Sequence, residues 1–380
     1  MRIFLIAGEP SGDALGQALM AGLKQLAPSV TFKGIGGPLM TSEGLESRFP
    51  MQELSVMGIA EVLPKYFHLK RRIRETAQAI LEQKPDVVIT IDSPDFCLRV
   101  ARLVKAASNI RTVHYVAPTI WAWRPGRAKK MVGVIDQVLA LFPFEPPLMQ
   151  AAGVEECDFV GHPVVSQPKA SAEDAMTFRK AHDLTDTPLV LLLPGSRTGE
   201  VTRMAPVLAE VSDRMTAANP DLRFVLPAAA SVADLVRDMT ADWPVKPLIV
   251  DTGAQDAATK RAAFAAADIA IAASGTVSLE LAAARTPMVI AYRMNPISFA
   301  LIKRMAITDT VTLVNHVADS RTVPEFLGPD CTAENIAPAA LSLMNAPEAQ
   351  EEAMALTMLR LGEGEAPPGL RAARAVLAKL

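Results

Sequence analysis

The chain has 380 residues, 50% of them apolar and 21% charged, with a formal net charge of −3. That is long enough for two ordinary domains and apolar enough to give each a core, and the near-neutral balance offers no basic face for nucleic acid. Three cysteines, Cys97, Cys157 and Cys331, lie far apart without CxxC spacing, which argues against a disulfide framework or zinc site and fits a reducing cytosol.

The chain opens on MRIFLIAGEPSGD, where a short apolar run ends in a glycine turn rather than a cleavage site, so no signal peptide is expected. Runs of about 18 apolar residues, as a membrane-spanning helix needs, are also absent. The expected location is the cytoplasm, with attachment to a membrane surface left open.

Apolar runs closed by turn residues then recur in order: Ile3–Ala7, Val87–Ile91, Thr112–Val116, Val138–Phe142 and Phe159–Val160 in the first half. The second half has Leu189–Leu193, Phe224–Leu226, Leu248–Val250, Ile269–Ala272, Met288–Ala291 and Val311–Val314. Runs without alternation predict strands buried on both faces of helix-covered parallel sheets. The stretch Gly161–Asp174, rich in proline and small polar residues, reads as a linker between two Rossmann-like halves. The predicted domains are 1–165, 175–345 and a helical tail, 346–380, with apolar spacing that suits packing on another surface.

The loops after these strands hold the candidate chemistry. Gly8-Glu9-Pro10-Ser11-Gly12-Asp13 can turn tightly and offer free amides to an anion or sugar hydroxyl. Neither it nor Gly34-Ile35-Gly36-Gly37 matches the dinucleotide fingerprint GxGxxG. Asp92 and Asp95 follow the strand PDVVITI; one reads as a base with a raised pKa and the other as a helix cap. His114–Arg124 gathers Trp121, Trp123 and Tyr115 beside Arg124, a site wall or plain packing. Leu193-Pro194-Gly195-Ser196-Arg197 adds an arginine suited to phosphate oxygens. Ser274-Gly275-Thr276 opens a helix able to hold a diphosphate, and Glu280 stands one turn further in, where ribose hydroxyls could donate to it.

These motifs, together with VMGIAEVLP, FPFE (Phe142–Glu145), VGHP (Val160–Pro163) and Tyr292-Arg293-Met294, resemble the lipid-A-disaccharide synthase family in order from Gly8 to about Phe326. The resemblance implies an α/β fold with two Rossmann-like domains whose parallel sheets face across a cleft, the GT-B type. It implies a metal-independent, cofactor-free transfer of 2,3-diacylglucosamine from UDP to 2,3-diacylglucosamine 1-phosphate with inversion. The product is the β-1′,6-linked lipid A disaccharide of lipopolysaccharide biosynthesis. Asp92, Arg197 and Asn315 would be catalytic. Substrate would touch Gly8, Glu9, Ser11, Gly12, Asp13, Trp123, Arg124, Ser196, Ser274, Gly275, Thr276, Glu280, Arg293 and Glu325, with Asn315 and Glu325 facing the cleft.

Acylated substrates require a membrane surface. Val56–Arg74 sets apolar and aromatic residues beside a basic cluster, the composition of an interfacial segment on anionic lipid. Leu63, Tyr66, Phe67 and Leu69 are the expected contacts, on the cytoplasmic face of the inner membrane; a core helix with a solvated basic face is the alternative. The tail would pack on the first domain or on the partner in a homodimer. A UDP-sugar 2-epimerase of the same architecture and a non-catalytic nucleotide-sugar-binding protein are the competing functions.

Overall fold

A computed structural model of the protein describes residues 1–54, 59–122, 126–253 and 256–380, with the backbone alone for 59–65, 297, 298 and 302. The chain forms two compact units, Met1–Ser166 with Leu361–Leu380, and Gln167–Arg360.

Among the described residues, unit 1 is built on seven strands: β1 (Arg2–Ala7), β2 (Thr31–Ile35), β3 (Glu46–Ser47), β4 (Val87–Ile91), β5 (Arg111–Tyr115), β6 (Gln137–Ala140) and β7 (Cys157–Phe159). Their order across the sheet is β3-β2-β1-β4-β5-β6-β7, and every pairing is parallel. Helices connect them, as parallel strands demand. β4 is buried along its whole length, so its apolar run is the sequence of a strand covered on both faces.

Among the described residues, unit 2 has six strands: β8 (Leu189–Leu193), β9 (Arg223–Ala228), β10 (Leu248–Asp251), β11 (Ile269–Ala272), β12 (Met288–Tyr292) and β13 (Glu325–Leu327). The order is β10-β9-β8-β11-β12-β13, again parallel throughout. Its core joins Val190 and Leu192 of β8 to Leu208 and Val211 of the helix Thr198–Ala218.

Three features depart from the sequence-based expectation. β2 and the two-residue β3 beside it were not anticipated, because Thr31, Lys33, Glu46 and Ser47 are exposed and leave no apolar run. The predicted strand Val311–Val314 is instead a loop entering the helix Leu313–Ala318. The Glu325 carboxylate accepts the amides of Val311 and Thr312 at 3.1 and 2.8 Å, which takes them out of any sheet ladder, and Glu325–Leu327 fills the edge position. The tail also divides. The helix Glu348–Arg360 belongs to unit 2, tied there by buried Gln350, whose Nε2 donates to the Met288 carbonyl at 3.0 Å, and by Arg360, whose Nη1 donates to the Val317 carbonyl at 2.7 Å.

The helix Pro368–Leu377 lies in unit 1 against the helix Pro10–Leu26. Their backbones approach so closely that a Cβ on Gly369 would stand 2.4 Å from the Ala18 carbonyl oxygen. Alanine ordinarily favours a helix over glycine by about 1 kcal/mol, but here a backbone collision opposes it. Gly369→Ala should therefore lower stability by about 1–3 kcal/mol, read as a fall in Tm; an unchanged or raised Tm would contradict this packing.

Candidate active site

In unit 1 the strand order reverses between β1 and β4, which are paired Ala7 to Ile91 at their carboxyl ends. Ligands in open α/β sheets bind outside such a reversal. The two turns that leave it are Gly8–Glu9 and Asp92–Ser93, each running into a helix, at Pro10 and at Pro94, and they touch: a Cβ on Gly8 would meet Ser93 Oγ at 2.5 Å. Asp92 and Ser93 both adopt left-handed backbone, with φ of 51° and 43°, and Val116, just past β5, has φ of 85°. Such conformations are costly for residues with a Cβ, most of all for a β-branched one, and persist where the surroundings impose them. The Asp92 amide, donating to the Tyr115 carbonyl at 2.9 Å, is part of that restraint.

Burial holds the Asp92 carboxyl above the ordinary aspartate range, opposed in part by a hydrogen bond from the Ser93 backbone. Asp95 was the candidate cap, but the cap position of the helix Pro94–Ala107 is Ser93, and Asp95 sits exposed in the first turn. Asp13 points inward: its carboxylate accepts amides of Gly37, Leu39 and Met40 at 2.8, 3.0 and 3.1 Å. It thereby holds the Gly36-Gly37 turn instead of standing open to a ligand. Glu9 is at the N-cap position of the helix Pro10–Leu26, half-buried, and Ser11 is exposed in its first turn. Gly12 is buried, and a Cβ there would lie 3.5 Å from the Ile91 carbonyl.

Trp123 and Arg124 lie outside the described residues. Their neighbour Trp121 meets Phe142 and Phe144 edge-on at 6.3 and 5.4 Å, and the two phenylalanines stack at 5.4 Å. Beneath them Glu145 is 3% exposed. Its carboxylate accepts the Leu141 and Phe142 amides, each at 3.0 Å. Burial still pushes its pKa up to about 7. His162 packs on Phe142 at 5.3 Å, is lowered to about 4 by burial, and is therefore neutral. The FPFE and VGHP motifs thus build one aromatic block with the Trp121 loop.

In unit 2 the reversal falls between β8 and β11, joined at their ends by the Ala273 amide to the Leu193 carbonyl at 2.8 Å. Again the two candidate loops leave from it side by side. Ser196, Arg197, Gly275 and Thr276 are exposed and Ser274 half-buried. Gly275 has φ of 150° with nothing within 4 Å of its absent side chain, so backbone open to a ligand precedes the helix Val277–Ala284. Glu200 braces the neighbouring loop. Its Oε2 accepts the Ser196 amide at 3.1 Å, and its Oε1 accepts Arg197 Nη1 at 3.2 Å and Tyr292 OH at 3.4 Å. Arg293, at the end of β12, is exposed, and its carbonyl accepts Arg203 Nε at 3.2 Å. Glu280 is ion-paired with Lys260.

Asn315 does not face solvent. It is 1% exposed; its Nδ2 donates to Thr310 Oγ1 and the Val323 carbonyl at 3.2 and 3.0 Å, and its Oδ1 accepts the Val323 amide at 3.0 Å. Glu325 is likewise occupied by Thr310 and the two amides above. Both therefore shape the loop between β12 and β13 from within. Among the described residues, no group of three or more His, Cys, Asp or Glu could hold a metal.

Of the expected membrane segment, Val56, Met57 and Gly58 lie outside the described residues and Leu63 has only its backbone described. Phe67 is 81% exposed, and Tyr66 meets it edge-on at 5.6 Å. Leu69, expected to be exposed, is instead partly buried against the core of unit 1. Arg72 is also drawn inward, bound to both oxygens of Glu53 at 2.8 and 3.0 Å and lying over Phe49 at 4.3 Å. No helix among the described residues is long and apolar enough to cross a membrane.

Two parallel-sheet α/β units, each with loops gathered at a strand reversal, define a two-domain fold. The structure is similar to a UDP-GlcNAc 2-epimerase from Neisseria meningitidis bound to UDP-GlcNAc, with TM-score 0.64 and 14% identity over 100% of this chain and 99% of that one. It is also similar to the Methanocaldococcus jannaschii UDP-GlcNAc 2-epimerase, with TM-score 0.61 and 13% identity over 100% and 99%. At such identity the likeness is one of fold. The family model for lipid-A-disaccharide synthetase matches residues 3–367. A lipid-A-disaccharide synthase from Ruegeria pomeroyi is 63% identical over 100% of this chain and 96% of its own length. One from Rhodospirillum centenum is 48% identical over 99% and 94%. The chain belongs to the lipid-A-disaccharide synthase family, and the epimerases are its distant structural neighbours.

The Glu145 carboxyl makes stability depend on pH. Its folded pKa, about 7, lies above the ordinary 4.5, so the native state holds a proton the unfolded chain has lost, and stability falls as pH rises between those values. Glu145→Gln removes the ionisation, so its Tm relative to the natural protein should improve from pH 5 to pH 8. A difference independent of pH would contradict the assignment.

Proposed function

We propose that the protein transfers 2,3-diacylglucosamine from UDP to 2,3-diacylglucosamine 1-phosphate, forming the β-1′,6-linked disaccharide and UDP. Family membership over residues 3–367 and the desolvated carboxylate at the unit 1 reversal carry this reading. Asp92 takes the proton of the acceptor 6-hydroxyl as that oxygen attacks the donor anomeric carbon. The bond to the diphosphate breaks with its electron pair leaving on UDP, and a single displacement inverts the centre. A carboxylate base works better as its basicity rises, and burial raises that of Asp92.

UDP belongs to unit 2 in this reading. The open backbone at Gly275 and the start of the helix Val277–Ala284 receive the diphosphate, Arg197 exchanges its exposed pairing with Glu200 for phosphate oxygens, and Glu280 accepts the ribose hydroxyls. Gly8–Gly12 and the aromatic block line the acceptor side. Tyr66 and Phe67, exposed beside Lys70 and Arg71, touch the cytoplasmic face of the inner membrane, which delivers both lipid substrates.

Asp92→Asn tests the central role. Asparagine keeps the shape and accepts left-handed backbone readily, and it removes a carboxylate that costs stability once ionised: a raised folded pKa means the penalty is present at neutral pH and vanishes in acid. The variant should therefore melt at a higher temperature at pH 8 while acceptor-dependent UDP release falls by about 100-fold or more. In the natural protein, kcat/KM should fall on the acid side at a pH above an ordinary aspartate's. Retained release in Asp92→Asn, with loss in Asp95→Asn, would transfer the role to Asp95.

A further inference from the structure

The connection from β12 to β13 carries features that neither the transfer chemistry nor the packing of unit 2 uses. Within it Leu301 and Ile307 are each 59% exposed and Val311 38%, three large apolar side chains in eleven residues. From Leu281 to Thr308 the chain has no acidic residue, while Arg285, Arg293, Lys303 and Arg304 are basic. Lys303 and Arg304 are exposed on the same helix as Leu301, Pro296–Met305. The first acid beyond this stretch, Asp309, is neutralised by Arg321, whose Nε donates to it at 3.0 Å.

Charge separates this patch from the other exposed apolar groups of unit 2. Leu359 is 64% exposed and Leu356 37%, but their helix carries Glu348, Glu351 and Glu352. Met176 lies on a helix where Glu173 and Asp174 are balanced by Arg179 and Lys180. An anionic surface repels the helix Glu348–Arg360, gains nothing from the uncharged balance of Ala172–Ala181, and attracts Pro296–Met305. Apolar groups that sink below headgroups, flanked by cations that pair with them, are the composition of an interfacial contact. The segment also starts at the carboxyl end of β12, next to β11, whose own carboxyl end presents Ser274–Thr276. An acylated donor seated on those residues would have a lipid surface beside it.

We propose that Leu301 and Ile307, with Lys303 and Arg304, form a second membrane-contact element, by which unit 2 itself rests on an anionic bilayer. This rests on the reading that the substrates are lipids and that unit 2 binds the donor. The helix Ile59–Gln83 of unit 1 is then one of two attachments.

All three natural cysteines are buried, so an introduced surface cysteine can be labelled selectively. Leu301→Cys and Phe67→Cys, each carrying an environment-sensitive dye, are to be mixed with phosphatidylglycerol-containing vesicles and with neutral phosphatidylcholine vesicles. The proposal expects blue-shifted emission at both positions on anionic vesicles. It also expects the Leu301→Ser/Ile307→Ser protein to lose about tenfold in vesicle partitioning, with turnover of detergent-dispersed substrates unchanged. A shift at 67 with none at 301 overturns this inference and leaves the unit 1 contact standing. No shift at either position overturns both. A shift at 301 with acylated donor in detergent, and none with vesicles, assigns the face to the donor's acyl chain and overturns the bilayer proposal.

Discussion

Between β1 and β4 in unit 1, and between β8 and β11 in unit 2, neighbouring parallel strands send their connections in opposite directions across the sheet. Nothing in the ladder covers the space beyond such a pair, so two loops stand side by side with their backbone groups available. The candidate chemistry follows from that constraint. Gly8 can press against Ser93 because their strands are hydrogen-bonded neighbours. The Ser196–Arg197 and Ser274–Thr276 segments share one edge because β8 and β11 are.

The two edges are prepared for different work. That of unit 1 is strained and half-buried: consecutive left-handed residues at Asp92 and Ser93, a β-branched residue at positive φ after β5, and a carboxyl raised by burial. Strain of this kind is held in place by the packing around it, here by strands on either side that are buried beyond their first residue. The unit 2 edge is open, with exposed Arg197, unobstructed backbone at Gly275 and a helix start behind it. A group that must be basic benefits from desolvation; a site that must hold a doubly charged leaving group benefits from accessible amides and guanidinium.

Most of the fold was legible because β4, β8 and β11 are buried on both faces and therefore written as unbroken apolar runs. β2, with Lys33 on its exposed face, carries no such run. The loops were legible for the same reason, each following a readable strand. What stayed hidden were partnerships across sequence distance. Nothing near Asn315 announces that Thr310 and Val323 will enclose its amide, and nothing near Glu280 announces Lys260. The Glu200 brace did leave a signal, an acid three residues after the cap position of its helix, which is capping-box spacing. Arg72 and Leu69 show the limit of composition: on one amphipathic helix, the same residue types face the core and the solvent.

The division of labour between the two edges is the claim on which the rest stands, and amide hydrogen exchange with UDP alone addresses it directly. The account predicts slowed exchange at residues 195–200 and 274–281, with residues 8–13 and 92–97 unchanged. Protection at 8–13 and 92–97, with the unit 2 loops unaffected, would contradict it.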